Sequence, residues 1–310
     1  EWTKRKLKSK FDWSSRKAED ITKRDIVLLL ESIMERGAPI MSNLTFAVIR
    51  KMFNFAVERD ILPHSPANGI KMLAPKVARE RVLTEQEIKT LWRTLDAAAM
   101  TDEIKRVLKL ILVTAQRPGE VVGIHTSEID GRWWTIPSNR SKNKTTHRVY
   151  LTDTALELIG SLKKIEKDTS KEIDKGFIFP TPLTKRDQSI DEKALSRAIR
   201  NNLAVPLLDK KGKPLFMADG KRATENRLEV EHFTPHDLRR TTATFMAQQG
   251  EMNEVIDAIQ NHAKQGIIKV YNQYRYEREK QMALESWERK LLHITTGIEC
   301  KIIPLNRKIS

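Results

Sequence analysis

Cysteine is almost absent from this chain of 310 residues. The single cysteine, Cys300, cannot form a disulfide within the chain and cannot build a cysteine-based zinc site. Long apolar runs are lacking as well: no stretch approaches the roughly 18 apolar residues of a membrane helix, and no signal-peptide core follows the N-terminus. We therefore expect a protein of the cytoplasm. The chain starts at Glu1 rather than Met, which indicates a fragment or a processed product.

The sequence also lacks a Walker-type Gly-x4-Gly-Lys box and a clustered set of carboxylates. The first pattern is typical of a phosphate-cradling loop, and the second is typical of sites that hold catalytic divalent metals. We therefore predict that the protein uses neither a cofactor nor a metal ion.

Positive charge exceeds negative charge by a wide margin. Lysine and arginine number 56 and aspartate and glutamate 41, which gives a formal net charge of +15. A basic excess of this size attracts polyanions, of which nucleic acid is the commonest. A solvated basic surface is the alternative, and charge alone does not separate a DNA-binding protein from a DNA-cutting enzyme.

The length of the chain and its proline pattern predict two domains. Residues 1–74 have the pattern of a small helical domain, and the polar segment 75–82 has that of a linker. Residues 83–291 form a larger domain that we predict to be mainly α-helical with a small β-sheet. In the tail, 292–310, the stretch Ile298–Leu305 resembles a strand without a local partner, so we predict that the tail is exchanged between protomers.

Capping signals and helical periodicity locate the helices of the first domain. Thr22 with Asp25 predicts a helix start, and a second helix is predicted from about Met41 to Arg59. One face of this second helix carries four apolar residues: Leu44, Val48, Met52 and Phe55.

The same signals predict seven helices in the second domain, the first of which opens with the capping-box pattern Thr84–Glu87. These helices lie near 84–97, 101–116, 119–125, 153–165, 191–203, 235–249 and 252–261. Two strands, Trp133–Ile136 and His147–Leu151, are separated by a polar turn. Residues 209–227 are rich in charged residues and glycine and are predicted to form a loop.

A histidine and an arginine lie three residues apart at the start of the helix predicted at 235–249. Because His236 and Arg239 then share one helical face near a helix N-terminus, they are suited to bind a phosphate group. A His-x-x-Arg pair alone is a weak signal.

Arg117 follows an apolar helix that the Pro118-Gly119 pair ends. At such a junction between helices a side chain can be directed into a cleft, and Glu120 is expected to pair with a nearby cation. Taken alone, an arginine that satisfies the last carbonyls of a helix explains Arg117 equally well.

Three of the four tyrosines in the chain lie close together after His262: Tyr271, Tyr274 and Tyr276. A lone histidine at a helix end is usually structural, and an exposed aromatic cluster among arginines also suits stacking on nucleic-acid bases. The neighbourhood of these residues is nevertheless strongly charged, which a core cluster does not explain.

Taken in order, these motifs resemble the tyrosine recombinase (phage integrase) family, and in particular the integrases of prophages and genomic islands. Arg117 lies in a Thr-Ala-x-Arg-x-Gly-Glu box similar to the family's first arginine motif. Lys142 lies eight residues before Tyr150, which resembles the lysine of the family's β-hairpin ahead of its Val-Pro-Leu strand. Tyr150 stands where proline is usual, and Lys144 is a rival for the lysine position.

Two further motifs complete the resemblance. His236-Asp-Leu-Arg239 is similar to the family's His-x-x-Arg box, and Tyr271 follows His262 by nine residues, which is the family's spacing from its second histidine to its nucleophile. Gln260 stands where leucine is common. The resemblance runs over nearly the whole chain, whereas members of this branch usually carry a further N-terminal arm-binding domain that has no counterpart in this sequence.

The resemblance implies the fold, the reaction and the site. It implies a helical core-type DNA-binding domain over 1–74 and a catalytic domain of the DNA breaking–rejoining fold over 83–291. The implied reaction is site-specific recombination through a 3′-phosphotyrosine, which integrates or excises a mobile element. The implied catalytic residues are Tyr271, Arg117, Lys142, His236, Arg239 and His262.

The resemblance also implies the partners of the protein. These are double-stranded DNA attachment sites, further copies of the chain in a tetramer on paired sites, and accessory proteins that bend DNA. A type IB topoisomerase-like enzyme shares the same chemistry but reseals the same strand, and a non-catalytic DNA-binding protein is a second alternative. A phosphatase or hydrolase acting through His236 lacks a suitably placed serine or cysteine nucleophile.

Overall fold

The computed structural model describes residues 12–75, 80–160, 176–182, 187–209, 211–217, 219–262 and 274–298. The chain divides into two compact units, the first ending at residue 79 and the second beginning at Glu80. The predicted nucleophile Tyr271 and most of the predicted strand Ile298–Leu305 lie outside the described residues.

The first unit is built on two helices, α1 (Lys23–Glu35) and α2 (Pro39–Glu58). The predicted capping box at the start of α1 is confirmed: the backbone N–H of Asp25 donates to Thr22 Oγ1 at 3.2 Å, and the Asp25 carboxylate accepts from the backbone N–H of Thr22 at 2.9 Å. Such a cap satisfies two backbone donors that the first turn leaves unpaired.

The core of the first unit uses the opposite face of α2 from the apolar face noted in the sequence. Phe46, Ile49 and Phe53 are buried against residues of α1 such as Ile26 and Leu30. Leu44, Val48, Met52 and Phe55 share one face, as their spacing requires, but all four are exposed. Periodicity therefore identified a face of the helix but not the face that packs.

The second unit is mainly helical. Its helices are α3 (Glu85–Ala97), α4 (Asp102–Thr114), α5 (Pro118–Val122), α6 (Asp153–Ile159), α7 (Glu192–Leu203), α8 (Pro235–Gln248), α9 (Asn253–Ile259) and α10 (Glu277–Thr296). Helix α4 is at the centre of the core, because nine of its residues are buried, and α3, α6, α8 and α10 pack around it. A helix that is apolar around most of its circumference requires neighbours on most sides.

A three-stranded antiparallel sheet follows α5 in the order β1 (Ile129–Asp130), β2 (Trp133–Ile136) and β3 (His147–Tyr150). In the register between β2 and β3, Trp133 lies opposite Tyr150 and Ile136 opposite His147. The hairpin turn between these strands, residues 137–146, carries Lys142. We refer to it as the lysine turn.

The predicted loop at 209–227 was wrong in part. Strand β4 (Val205–Pro206) pairs with β5 (Thr224–Glu225), and the intervening chain folds into two hairpins. A cycle of three backbone hydrogen bonds holds the hairpins together: Leu207 donates to Ala223, Ala223 to Leu215, and Leu215 to Leu207, at 2.9, 2.9 and 2.8 Å. Charged turns mask such short strands in a sequence, because the strands have too few alternating residues for a pattern.

Two predicted boundaries also differ. Helix α6 ends at Ile159, because Gly160 takes φ 91°. Helix α10 continues to Thr296, so the predicted tail at 292–310 begins inside a helix. Within the described ranges, no helix is both long and apolar enough to cross a membrane.

Candidate active site

Arg239 is a buried arginine on the second turn of α8. It is 5% exposed, and its Nη2 donates to the carbonyl of Gln260, whose own Nε2 donates to the Arg239 carbonyl at 3.2 Å. Arg239 Nη1 is buried and has no hydrogen-bond partner among the described residues. Gln260, which departs from the leucine common in the family, therefore holds α8 and the end of α9 together.

The burial of this guanidinium group is electrostatically unfavourable. Burial, and then the positive charge of Arg117, lower the pKa of Arg239 from its ordinary range to about 9, while the Glu120 carboxylate opposes this change. A buried cation with an unpaired N–H and a second cation beside it is a ready receptor for an anion.

Arg117 lies at the N-terminus of α5, between the end of α4 and the Pro118-Gly119 pair. Its Nη1 donates to Glu120 Oε1 at 3.0 Å, and Glu120 is 3% exposed. The expected partner of Glu120 is therefore Arg117. The other terminal nitrogen, Nη2, donates to the backbone carbonyl of Asn261 at 3.0 Å.

Asn261 joins this arginine to the lysine turn. Its carbonyl also accepts from Asn143 Nδ2, its side-chain Nδ2 donates to Ser141 Oγ at 2.9 Å, and its Oδ1 accepts from Thr145 Oγ1 at 3.4 Å. The consecutive residues Gln260 and Asn261 thus contact Arg239, Arg117 and the lysine turn.

His236 lies one turn before Arg239, and the charges of three other predicted site residues act on the pKa of its imidazole. The residue is exposed as a whole, yet the surrounding protein removes part of the water from its imidazole. This desolvation, and then the positive charges of Arg239, Lys142 and Arg117, lower the pKa of His236, whereas Glu192 raises it. Three predicted cationic groups therefore lie close enough to His236 to act on its charge, and the imidazole is neutral at pH 7.

His262 follows Asn261 directly and is held by Asp257 of α9. Its Nδ1 lies 2.7 Å from Asp257 Oδ1, and its backbone N–H donates to the Asp257 carbonyl at 2.9 Å. An ionised carboxylate only accepts hydrogen bonds, so Nδ1 carries the proton in this pair. Nε2 then donates only when the ring is an imidazolium.

A buried histidine forms hydrogen bonds next to the predicted site. His147 Nε2 donates to the Ile259 carbonyl at 2.9 Å and lies 3.2 Å from Gln116 Oε1. Burial, then the nearby positive charge of Lys280, lower the pKa of His147 to about 3, and Arg239 and Arg117 act in the same direction. His147 is therefore neutral, and it fixes β3 to the residue before Arg117.

Helix α10 begins close to the same hairpin. Glu277 pairs with Arg148 of β3 through both carboxylate oxygens at 2.8 Å, and Lys280 Nζ donates to the Arg148 carbonyl at 2.8 Å. The Tyr274 hydroxyl donates to the Glu279 carboxylate at 3.0 and 3.1 Å, and this hydrogen bond is the largest cause that raises the pKa of Tyr274. A raised pKa disfavours the phenolate of this rival nucleophile.

The structure thus brings together most of the predicted site. Arg117 and Arg239 are joined through neighbouring backbone carbonyls, and Lys142 and His236 are coupled to them electrostatically. His262 follows Gln260 and Asn261 directly in the chain, while Tyr271 lies outside the described residues. No cluster of His, Cys, Asp and Glu in the described part of the chain could hold a metal ion.

Apart from Glu120, the sequence did not identify the residues that hold this site. Gln116 and Asn261 lie next to Arg117 and His262 in the sequence without a role of their own, and Gln260 was noted only as a departure from the leucine common in the family. His147 and Asp257 carry no signal in the sequence, because their partners are set by the tertiary fold.

Two guanidinium groups joined through adjacent backbone carbonyls, with an imidazole and a lysine beside them, form a cluster suited to binding an anion of phosphate type. Residues 81–278 match the phage integrase family. This match covers more than half of the chain, and the chain therefore belongs to the phage integrase family.

Individual relatives agree with this assignment. The chain is 21% identical over 273 residues to the prophage integrase IntA of Escherichia coli K12, which covers 86% of this chain and 58% of that protein. The chain therefore spans less than two thirds of the length of this relative.

Solved structures share the fold at low sequence identity. A λ integrase dimer bound to a COC′ core site matches with a TM-score of 0.55 at 16% identity, over 80% of this chain and 84% of that chain. The Tn1549 transposon integrase in complex with circular intermediate DNA matches with a TM-score of 0.50 at 12% identity, over 85% of each chain. The predicted fold class, mainly α with small β-sheets, is confirmed.

Proposed function

We propose that this protein is a site-specific DNA recombinase that cuts and rejoins double-stranded DNA through a 3′-phosphotyrosine on Tyr271. The observation that carries the proposal is the buried Nη1 of Arg239, which has no hydrogen-bond partner in the described part of the chain and lies beside Arg117, in a chain of the phage integrase family. Glu120 supplies one negative charge beside the two guanidinium groups, and a scissile phosphate supplies a second.

The two arginines bind the non-bridging oxygens of that phosphate. Attack on a phosphodiester develops negative charge on these oxygens, and fixed donors in a site with little water stabilise such charge strongly. The Glu120 carboxylate and the Asn261 carbonyl hold the guanidinium of Arg117 from two sides. This arrangement reduces the reorganisation needed when DNA binds.

In the chemical step, the Tyr271 oxygen forms a bond to phosphorus and the bond from phosphorus to the 5′ oxygen breaks. The phenol proton passes to neutral His236, whose lowered pKa keeps a ring nitrogen free to accept it. Lys142 donates a proton to the departing 5′ oxygen, and its coupling to His236 supports Lys142 in this role. A flexible ammonium group suits a single proton transfer better than a planar guanidinium does.

His262 donates a further hydrogen bond to a non-bridging oxygen. Because Asp257 occupies its Nδ1, this donation comes from Nε2 of the imidazolium. The carboxylate of Asp257 thereby fixes which ring nitrogen of His262 is left for the phosphate.

Cleavage conserves the energy of the broken phosphodiester bond in the phosphotyrosine ester, and strand exchange uses this ester. A free 5′ hydroxyl from a second DNA end attacks the phosphotyrosine ester, which restores a phosphodiester without ATP. Such exchange requires several protomers on paired sites, and a λ integrase tetramer bound to a Holliday junction matches this chain with a TM-score of 0.55. We propose the same assembly here, with the unit of residues 1–74 binding core DNA, the tail 292–310 reaching a neighbouring protomer, and accessory proteins bending the site.

A suicide substrate tests the proposal. A duplex of the attachment site with a nick next to the scissile phosphate loses its short 5′-hydroxyl fragment after cleavage, so the covalent product accumulates. We expect the wild-type chain to form a protein–DNA adduct that survives denaturing electrophoresis, and the variant Tyr271→Phe to form none while still shifting the DNA. An adduct of Tyr271→Phe at the wild-type rate refutes the assignment of the nucleophile.

The same preparation separates the alternative functions. Relaxation of a supercoiled plasmid without exchange between two sites indicates a topoisomerase-like activity. Binding without any adduct indicates a non-catalytic DNA-binding protein. Joining of two attachment sites into one recombinant product is the outcome that recombination requires.

A further inference from the structure

We propose that the side chain of Asn261 is a positioning residue that holds the lysine turn against the two arginines, so that Lys142 reaches the leaving oxygen. This inference rests on the proposed function and deepens it. Its basis is the two hydrogen bonds that the Asn261 side chain makes with residues of the lysine turn. These are separate from the hydrogen bonds of the Asn261 backbone carbonyl.

Asn261 makes two separable sets of contacts. Its backbone carbonyl accepts from Arg117 Nη2 at 3.0 Å and from Asn143 Nδ2. Its side chain donates to Ser141 Oγ at 2.9 Å and accepts from Thr145 Oγ1 at 3.4 Å. The carbonyl therefore holds Arg117 and Asn143, while the side-chain amide holds Ser141 and Thr145 of the lysine turn.

Lys142 lies between two residues that are bonded to Asn261. Ser141, which precedes it, is 2% exposed, so loss of the amide leaves the Ser141 hydroxyl without this buried partner. Asn143, which follows it, contacts the Asn261 carbonyl. Arg140 fixes the start of the turn separately, through Glu128 at 2.6 and 2.9 Å. The Asn261 amide therefore acts on the half of the turn that carries Lys142.

The backbone of Asn261 makes a clean substitution available. Its φ of 49° lies in the left-handed region, which glycine adopts freely and asparagine and aspartate tolerate. Asn261→Gly thus removes the amide without backbone strain and keeps the carbonyl that Arg117 needs. Asn261→Asp keeps oxygens that accept from Thr145 and from the Ser141 hydroxyl, and it is the conservative variant.

The chemistry of the leaving group distinguishes a misplaced Lys142 from a damaged site. A substrate with sulfur in place of the bridging 5′ oxygen releases a thiol, whose ordinary pKa of about 8.5 allows it to leave without a proton donor. Defects in proton donation are therefore rescued by sulfur, whereas defects in phosphate binding are not.

The experiment measures single-turnover adduct formation on oxygen and sulfur substrates. For Asn261→Gly we expect a loss of roughly tenfold to a hundredfold on oxygen and a rate within about threefold of wild type on sulfur, as for Lys142→Met. Asn261→Asp should recover part of the loss on oxygen. Arg117→Gln should be slow on both substrates, and it is the control for a damaged phosphate site.

Each outcome decides the inference. A wild-type rate of Asn261→Gly on oxygen overturns it, and so does a defect that sulfur does not restore, whether the cause is misfolding or loss of phosphate binding. If the wild-type chain forms no adduct on either substrate, the proposed function itself fails. If the wild-type chain and Lys142→Met behave as expected and only Asn261→Gly does not, the function stands and the positioning role fails.

Discussion

Replacement of Arg239 by methionine should stabilise the DNA-free protein while abolishing its proposed activity. Methionine is unbranched and replaces the aliphatic stem of arginine with an uncharged side chain. In the wild type, Nη2 of Arg239 donates to the Gln260 carbonyl, and the buried Nη1 has no partner among the described residues. The folded chain therefore holds a buried cation that only a bound anion compensates fully.

The size of the effect follows from the lowered pKa. The lowering of this pKa from the ordinary range of arginine to about 9 corresponds to roughly 5 kcal/mol of unfavourable free energy for the charged form. No reduction for solvent screening is needed, because Arg239 is 5% exposed. The variant leaves the Gln260 carbonyl without this donor, which costs about 1–3 kcal/mol. The net gain expected at neutral pH is therefore roughly 2–4 kcal/mol, in the range found when buried charges are replaced by apolar groups.

The pH dependence has a defined sign. Because the folded-state pKa lies below the unfolded one, the penalty is complete at every pH below about 9. The penalty decreases as the pH rises above about 9 towards the ordinary pKa of arginine, and the advantage of Arg239→Met should decrease in the same direction.

Urea denaturation at pH 7.5, followed by the fluorescence of buried Trp134 and Trp287, measures the free energy of unfolding. Arg93→Met is the matched control, because Arg93 forms an exposed pair with Glu229 and its loss should change stability by less than about 1 kcal/mol. Inorganic phosphate should stabilise the wild type more than chloride at equal ionic strength, and it should stabilise Arg239→Met much less. A variant less stable than the wild type refutes this reasoning.

Three further predictions concern the groups around the arginines. His147→Gln should reduce the loss of stability in acid. His147 gains a proton below its ordinary pKa of 6.5 in the unfolded chain but only near pH 3 in the folded chain, and this difference destabilises the wild type by about 1.4 kcal/mol for each pH unit in that interval. Urea denaturation at pH values between 7 and 4 measures the effect. Asp257→Ala should slow adduct formation by roughly tenfold, because His262 loses the carboxylate that its Nδ1 contacts at 2.7 Å and is no longer held in one orientation; an unchanged rate contradicts this role. Glu120→Gln should keep the fold but lower the rate of adduct formation by roughly tenfold, because Arg117 loses the carboxylate, one of the two groups that hold it. An unchanged rate argues against this role of Glu120.

Local signals accounted for much of what the sequence predicted correctly. The caps at Thr22 and Thr84 depend on residues three positions apart, so the sequence contains both partners. The two longer strands and the central apolar helix α4 have enough residues to display a period. The outward-facing apolar residues of α2 show the limit of this approach, since periodicity does not reveal which face has a neighbour.

The candidate site was predictable as a set of motifs but not as a structure. Asn261 lies 120 positions from Ser141 and 144 positions from Arg117 along the chain. Contacts at such distances follow from tertiary packing, which no local spacing encodes. The resemblance to a family supplied the residues, and the coordinates supplied the partners that hold them.

The identity of the attacking tyrosine is the central claim, and mapping of the covalent adduct tests it most directly. The wild-type adduct is trapped on a suicide substrate, digested with nuclease and protease, and analysed by tandem mass spectrometry. We predict that a nucleotide 3′-phosphate is attached to Tyr271. Attachment to Tyr274 or Tyr276, or the absence of any modified tyrosine, contradicts the account.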